Sequence, residues 1–266
     1  MNHRENLEQE IAGILPFSGA EALDGKTILI TGATGLIGVT LVNALLCYGT
    51  SRENPLKVLA FVRNREKAEK MFRNVPGEQL DFLVGDIRDP ITTEKPIDYI
   101  IHAASVTSSK AFVSQPVDTI RTAIDGTVNV LELAREKKVR SFVYLSSMEV
   151  YGAPETDEKI TESHGTNLNT MSVRSSYPEG KRMCEALCTA YFAQYGVPAK
   201  VVRLTQTFGP GVAYSDGRVF AEFARCAIEK RNIVLHTKGE TKRSYLYTED
   251  AAAAILTVLL KGESGQ

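Results

Sequence analysis

Lys26-Thr27-Ile28-Leu29-Ile30-Thr31-Gly32-Ala33-Thr34-Gly35-Leu36-Ile37-Gly38 is the stretch that decides how this chain folds. A β-branched run gives way to glycines at three-residue spacing, and a helical pattern follows. In a parallel α/β unit, the first strand ends at a tight turn whose backbone passes close to a diphosphate. Gly32 and Gly35 remove the Cβ atoms that would block that approach, and Gly38 lets the helix pack against the strand. The amides opening the helix, around Thr34, Leu36 and Ile37, then face the anion with the positive end of the helix dipole.

Outward from this turn, short β-branched runs alternate with helical stretches, which predicts a parallel sheet covered on both faces. Strands are expected over Thr27–Thr31, Lys57–Val62, Leu80–Val84, Tyr99–His102, Ser141–Ser146 and Lys200–Leu204. Helices are expected over Leu36–Tyr48, Arg65–Arg73, Pro116–Lys138 and Pro178–Tyr195. Beyond Phe208 the pattern reads helix (Arg218–Lys230), strand (Ile233–His236), strand (Ser244–Tyr247) and helix (Glu249–Lys261). The expected fold is α/β, a Rossmann-type doubly wound parallel sheet over residues 26–207. A polar extension precedes it over 1–25, with Leu7, Ile11, Ile14 and Leu15 along one side of a short helix. The polar stretch Glu155–Arg174 reads as a long loop over the active site.

Composition narrows the partners. The 266 residues carry a net charge of −1, so bulk electrostatics draws the chain to neither nucleic acid nor an anionic membrane. The four cysteines (Cys47, Cys184, Cys188, Cys226) have neither metal-site nor secreted-framework spacing. No metal is expected. Met1 to Glu10 lacks the apolar core of a signal peptide, and the longest apolar run, Ala251–Leu260, is half the ~20 residues that span a bilayer. These features read as a soluble cytoplasmic protein.

A second signature lies far downstream: Tyr177-Pro178-Glu179-Gly180-Lys181, with Ser146-Ser147 some thirty residues earlier. Pro178 suits a first helical turn, and Tyr177 and Lys181 then share one helix face. A phenol has an ordinary pKa of about 10, too high for a base near neutrality. An ammonium one turn away, helped by an oxidised nicotinamide ring, favours the phenolate. The hydroxyl of Ser147 can hydrogen-bond the same substrate oxygen.

With these motifs the chain resembles the extended short-chain dehydrogenase/reductases of the nucleotide-sugar epimerase/dehydratase/decarboxylase group. The resemblance runs from Lys26 onward through Gly85-Asp86-Ile87, His102-Ala103-Ala104-Ser105, Gly126-Thr127, Ser146-Ser147-Met148-Glu149-Val150-Tyr151-Gly152, Arg203-x-x-Gln206-x-Phe208-Gly209-Pro210 and Lys242-Arg243-Ser244-Tyr245. It implies an NAD(P)-dependent enzyme acting on a nucleotide sugar, usually at C4, with a homodimer built on the helices around Pro116–Lys138 and Pro178–Tyr195. It also implies a small substrate lobe over 208–266, shorter than the family's and so expected to be truncated.

Residue by residue, the resemblance makes Tyr177 the base, Lys181 its electrostatic partner and Ser147 the hydroxyl donor. Glu149 occupies the position where dehydratases and uronate decarboxylases carry a glutamate. Asp86 resembles the acceptor for the adenine amine, with Ile87 against the ring. Ala103, Ala104 and Ser105 resemble the small residues along which the cofactor lies. Three departures stand out. Met148 replaces the aspartate of dTDP-glucose dehydratases, Ala123 replaces a common asparagine, and Gln206 replaces the family asparagine. Gln206, Arg218 and Arg243 are candidate substrate ligands, the arginines for a diphosphate or a uronate carboxylate.

An NAD site normally places a carboxylate at the end of strand two, for the ribose hydroxyls. No acidic residue occurs between Val58 and Arg65. Arg63 and Asn64 stand there instead, and Arg63 can pair with a 2′-phosphate, which favours NADP over NAD. Epimerisation, dehydration and decarboxylation all remain open. So do two readings of other kinds: a nonenzymatic NADP-binding regulator, and a simple NADPH-dependent carbonyl reductase.

Overall fold

Strand side chains point alternately to the two faces of a sheet, and here both faces are buried. Ile28 and Ile30 enter one core and Leu29 the other, all three fully buried. The computed structural model describes residues 19–50, 52–73, 78–153, 158–235, 238–239 and 242–266. Its main sheet comprises β1 (Thr27–Thr31), β2 (Lys57–Val62), β3 (Leu80–Val84), β4 (Tyr99–His102), β5 (Ser141–Ser147) and β6 (Ala199–Leu204). All pairs are parallel, in the order β3-β2-β1-β4-β5-β6. The order reverses between β1 and β4. This is the switch point outside whose strand ends open α/β sheets bind ligands.

The helices are α1 (Leu36–Thr50), α2 (Arg65–Met71), α3 (Ser109–Ser114), α4 (Pro116–Lys137), α5 (Ser176–Tyr195), α6 (Val219–Ile228) and α7 (Thr248–Lys261); α1, α2 and α7 pack on one face of the main sheet and α4 and α5 on the other. One layer brings Leu41 and Leu45 of α1 and Ile255, Leu256 and Leu259 of α7 against Ile28, Ile30, Val58 and Val143. The other brings Val130 and Ala134 of α4 and Cys184 and Cys188 of α5 against Leu29, Ile100 and Phe142. Helix ends follow local chemistry. Pro116 opens α4, where its missing N–H is no loss. The Asn64 side chain accepts from Lys67 N–H at 2.8 Å and caps α2. Gly196, with φ of 71°, closes α5 in the left-handed conformation.

The six main strands and the principal helices lie where the sequence puts them, within one or two residues at each end. One element differs. Residues 233–235 form no strand, and Ile233, Val234 and Leu235 stand exposed, while His236 lies outside the described residues. The Ile-Val-Leu run has strand propensity, but propensity without a ladder partner does not make a strand. The partner of β8 (Tyr245–Tyr247) is instead β7 (Gln206–Phe208), in register Gln206 to Tyr245. Short helix α3 and the 3-10 turns Ala20–Leu23, Met148–Tyr151 and Val173–Ser175 also lack a period long enough to read from sequence. The apolar positions expected to line an N-terminal helix lie outside the described residues. So does part of the polar stretch before Arg174. No helix among the described residues is long and apolar enough to cross a membrane.

Candidate active site

The turn after β1 is shaped by what cannot fit in it. Gly32 has φ of 68°, and a Cβ there would stand 2.8 Å from the Ala103 carbonyl and the Ala104 nitrogen. A Cβ on Gly38 would strike the Gly32 carbonyl oxygen and lie 2.8 Å from Ala33 Cα. Gly35 N–H donates to Gly32 carbonyl at 2.9 Å and closes the turn that carries Thr34 into Leu36 and Ile37 at the head of α1. The missing side chains therefore let β1, β4 and α1 close up at the switch point, with the head of α1 at the crevice beyond the strand ends. This is the cradle a dinucleotide diphosphate requires, so these residues fit the cofactor.

A buried relay fixes the crevice from behind. Ala104 N–H donates to the Thr31 hydroxyl at 3.1 Å, and Thr31 is 2.7 Å from His102 Nδ1. His102 Nε2 is 3.2 Å from the Thr127 hydroxyl, which donates to Cys184 Sγ at 3.2 Å; the thiol donates to Ala123 carbonyl at 3.2 Å. Each hydroxyl has one proton, so the chain runs in one direction and assigns the neutral Nε2–H tautomer to His102. Burial, with the nearby Lys181 charge, pushes the His102 pKa down to about 3, which keeps the ring neutral.

Along the ends of β2 and β3 the adenosine-side candidates lie apart from this relay. Arg63 is exposed, with no hydrogen-bond partner among the described residues. Asn64 is committed to capping α2. Asp86 accepts from Arg88 through its backbone N–H at 2.9 Å and its guanidinium at 3.2 Å, and these bonds hold its carboxyl below the usual range. Ile87 is buried where a Cβ on Gly126 would sit 3.0 Å from it, so its side chain packs on α4. The Ser105 hydroxyl donates to Val106 carbonyl at 3.2 Å.

The residues expected from sequence to act as acid and base lie where β5 meets α5. Ser147 ends β5 and accepts from Glu149 N–H at 3.2 Å, capping the 3-10 turn that carries Glu149. Lys181 is buried; its Nζ donates to Leu145 carbonyl at 2.6 Å and lies 5.9 Å from the Tyr177 ring centroid. Desolvation lowers the Lys181 pKa from 10.5 to about 8. Desolvation raises Tyr177 to about 12, against the pull of the Ser147 hydroxyl. The sequence leads one to expect a lowered phenol pKa. The resting site does the opposite, because burial outweighs an ammonium that is aimed at a carbonyl. A cationic nicotinamide over the same phenol would supply the missing pull.

Sequence reasoning missed three residues here. Phe112 on α3 stacks flat on Tyr177, centroids 4.2 Å apart and planes 9° apart, and Ser176 donates to its carbonyl at 2.8 Å. Arg174 pairs with Glu149 at 2.7 Å and lies over the Phe112 ring, 4.9 Å from its centroid. The only sequence signal was the position of Arg174, three residues before Tyr177. Glu185 was also missed; it accepts from Ser146 at 2.5 Å and from Arg203 at 2.7 Å and 2.9 Å, tying β5 to β6 and α5.

The proposed substrate ligands are dispersed. Gln206 begins β7. Arg218 is engaged internally, by Asp216 at 2.7 Å and Thr207 carbonyl at 2.7 Å, with its guanidinium over Phe220. Arg243 is exposed and donates to Lys242 carbonyl at 3.1 Å.

Comparison with known proteins bears on this arrangement. The model of the NAD dependent epimerase/dehydratase family matches residues 28–266. UDP-glucuronic acid decarboxylase 1 of Xenopus tropicalis is 32% identical over 236 residues, covering 89% of this chain and 54% of the relative. UDP-glucuronic acid decarboxylase 6 of Arabidopsis thaliana is 31% identical over 240 residues, covering 90% of this chain and 67% of the relative. The chain thus spans about half to two thirds of the length of these curated relatives. The dTDP-glucose 4,6-dehydratase of Bacillus anthracis, solved in complex with NAD, superposes with a TM-score of 0.74 at 23% identity, covering 91% of this chain and 74% of that one. That likeness supports the Rossmann-type fold.

The buried lysine yields a pH prediction. Its folded pKa of about 8 lies below its ordinary 10.5. The charged form therefore destabilises the folded state below about pH 8, and the penalty fades as pH rises toward 10.5. Lys181→Met should melt higher than wild type near pH 7, by on the order of 2 kcal/mol after loss of the bond to Leu145. The gap should narrow near pH 10. Thermal melts of both proteins at the two pH values check this, and a pH-independent gap would contradict it.

Proposed function

We propose, from the premise that this chain belongs to the NAD dependent epimerase/dehydratase family, that it modifies a nucleotide sugar through a transient 4-keto intermediate. Decarboxylation of a UDP-linked uronate is the reaction its residues fit best. The observation that carries this reading is the meeting of a phenol, a serine hydroxyl and a carboxylate where β5 joins α5. Tyr177 and Ser147 address one substrate hydroxyl, while Glu149 brings a carboxylate that a plain 4-epimerase does not need. Met148, in place of a dehydratase acid, argues against loss of a C6 hydroxyl. The decarboxylase names of the curated relatives point the same way.

In this reading Tyr177 takes the proton of the C4 hydroxyl. A nicotinamide cofactor held at the Gly32–Gly38 turn would supply reversible hydride acceptance at C4. The ketone at C4 makes the C6 carboxylate a β-keto acid. Loss of CO2 leaves the C5–C6 bonding electrons as an enolate across C4 and C5, and C5 is then protonated. Glu149 manages the proton at C5, Ser147 holds the C4 oxygen, and Lys181 keeps a positive charge behind Tyr177. Arg243, and Arg218 if released by Asp216, would take the diphosphate.

Incubation with UDP-glucuronic acid in deuterium oxide tests this. The expected product is a UDP-pentose with deuterium at C5. Tyr177→Phe should lower turnover by about 10²-fold or more, typical for loss of a general base, with cofactor affinity nearly intact. Glu149→Gln should keep hydride transfer and accumulate reduced cofactor. A C4-inverted hexuronate without C5 deuterium would instead identify an epimerase.

The cofactor reading is NADP over NAD, supported by the exposed Arg63 and the missing carboxylate on β2. Calorimetry should find NADP tighter, and Arg63→Ala should narrow the gap by the roughly 1.5–3 kcal/mol of a charge-assisted contact. Equal affinities would remove the assignment.

The proposed assembly is a homodimer through α4 and α5. Val117, Ile120 and Met183 project from these helices with 66%, 38% and 50% of their surfaces exposed, an apolar face that a two-fold contact would bury. Sedimentation should give a dimer mass at micromolar concentration; a monomer would count against it.

A further inference from the structure

Arg174 is the one cation paired with Glu149 among the described residues, and its geometry is more specific than an ordinary surface ion pair. Nη2 donates to Glu149 Oε2 at 2.7 Å. The same guanidinium lies over Phe112, 4.9 Å from the ring centroid, and Phe112 stacks on Tyr177 at 4.2 Å. Guanidinium, phenyl ring and phenol are thus joined by successive stacking contacts, with the Glu149 carboxylate bound to the guanidinium.

Each support of this stack comes from a different element. Glu149 rides on the turn that follows β5, and Ser147 fixes the start of that turn. Arg174 sits in the turn Val173–Ser175 leading into α5, anchored by Ser175, whose hydroxyl donates to Asn169 carbonyl at 2.6 Å. Phe112 belongs to α3, held to the start of α5 by Ser176. Ser147 holds the backbone of Glu149, and Arg174 is what ties its carboxylate to the segment that carries Tyr177.

The side chains of Arg174 and Glu149 are 42% and 32% exposed. A pair so exposed contributes little to stability. Its geometry has another use: a planar guanidinium can stack on a ring and hold a carboxylate in its plane at once, which an ammonium cannot do.

We propose that Arg174 is a positioning residue that holds the Glu149 carboxylate at a fixed distance from Tyr177, so that proton handling at C5 stays in step with hydride transfer at C4. The proposal rests on the uronate decarboxylase reading above. Arg174 itself moves no proton. Its loss should leave Glu149 on a swinging side chain, and displacements on the order of 1 Å at a reacting group cost up to ~10²-fold in rate.

The test separates the two steps. Enzyme loaded with oxidised cofactor is mixed with UDP-glucuronic acid in deuterium oxide. Cofactor reduction is followed by absorbance, and C5-deuterated product by quenched mass spectrometry. Arg174→Gln should slow product formation at least tenfold more than it slows cofactor reduction, so reduced cofactor accumulates. Arg174→Lys, which keeps the charge but not the planar fork, should fall between Gln and wild type. In a Glu149→Gln background, Arg174→Gln should change the ratio less than twofold, because the group it positions is gone.

Melting temperatures guard against misfolding. Nitrogen NMR of the guanidinium in the ligand-free protein adds a readout that needs no turnover: resolved Nη signals for Arg174 in wild type should merge in Glu149→Gln. An active wild type in which Arg174→Gln slows both steps equally, or has the same effect with and without Glu149, overturns the proposal alone. So do Nη signals that ignore Glu149. A wild type that binds cofactor yet gives neither reduction nor deuterated product overturns the decarboxylase reading, and the proposal with it.

Discussion

At the carboxyl end of the sheet, the backbone of Gly32 runs so close to the Ala103–Ala104 peptide that no side chain fits between them. Everything near the site depends on that approach. It brings the ends of β1 and β4 together at the point where strand order reverses, and it opens the crevice where amides can meet an anion. The contact is also locked chemically. Ala104 N–H, Thr31, neutral His102, Thr127 and the Cys184 thiol form a one-way hydrogen-bond chain ending on Ala123 of α4. A buried polar chain is favourable only when every member is satisfied. Here each proton has one destination, so the turn, β4, α4 and α5 are held in one relative position.

The same burial that orders the relay sets the acidities beside it. Desolvation lowers the Lys181 pKa, although its ammonium rests on the Leu145 carbonyl and 4.6 Å over the Tyr144 ring. Tyr177, covered by Phe112, moves the other way. The phenol is thus protonated and the lysine poised near neutrality in the ligand-free protein. A positive charge brought close would favour the phenolate, because a unit charge acts more strongly in a low-dielectric pocket than in water. The acidity of Tyr177 therefore belongs to its folded surroundings, and the spacing of Tyr177 and Lys181 on a helix conveys only half of it.

That division explains what was legible in the sequence. The strands and long helices followed from periodicity and from punctuation such as Pro116, Gly196 and the glycine turn, which act locally. The pairing of Tyr177 with Ser147 and Glu149 followed from motif order along the chain. Phe112 and Arg174 did not, because α3 is six residues long and its ring reaches Tyr177 across a gap of more than sixty positions. Glu185 escaped for a related reason: an acidic residue on a helix gives no sign that Ser146 and Arg203 converge on it from two strands. The run at Ile233–Leu235 misled in the opposite sense, since strand propensity says nothing about whether an edge is available. Arg218 looked free as a ligand until folding placed Asp216 beside it.

The C-terminal stretch adds a mechanical consequence. Helix α7 buries Ala252, Ile255 and Leu256 in the same core as Ile28 and Leu41, directly behind the glycine turn. The loop after β7 is equally committed: a Cβ on Gly211 would meet Leu36 at 3.4 Å, and Gly209 passes against Thr248. Phe208, Phe220, Tyr245 and Tyr247 pack edge to face, with centroids 5.5–6.1 Å apart. Interiors packed in this way transmit displacement instead of absorbing it. The segment from β7 through α7 therefore shares one packed base with the glycine turn.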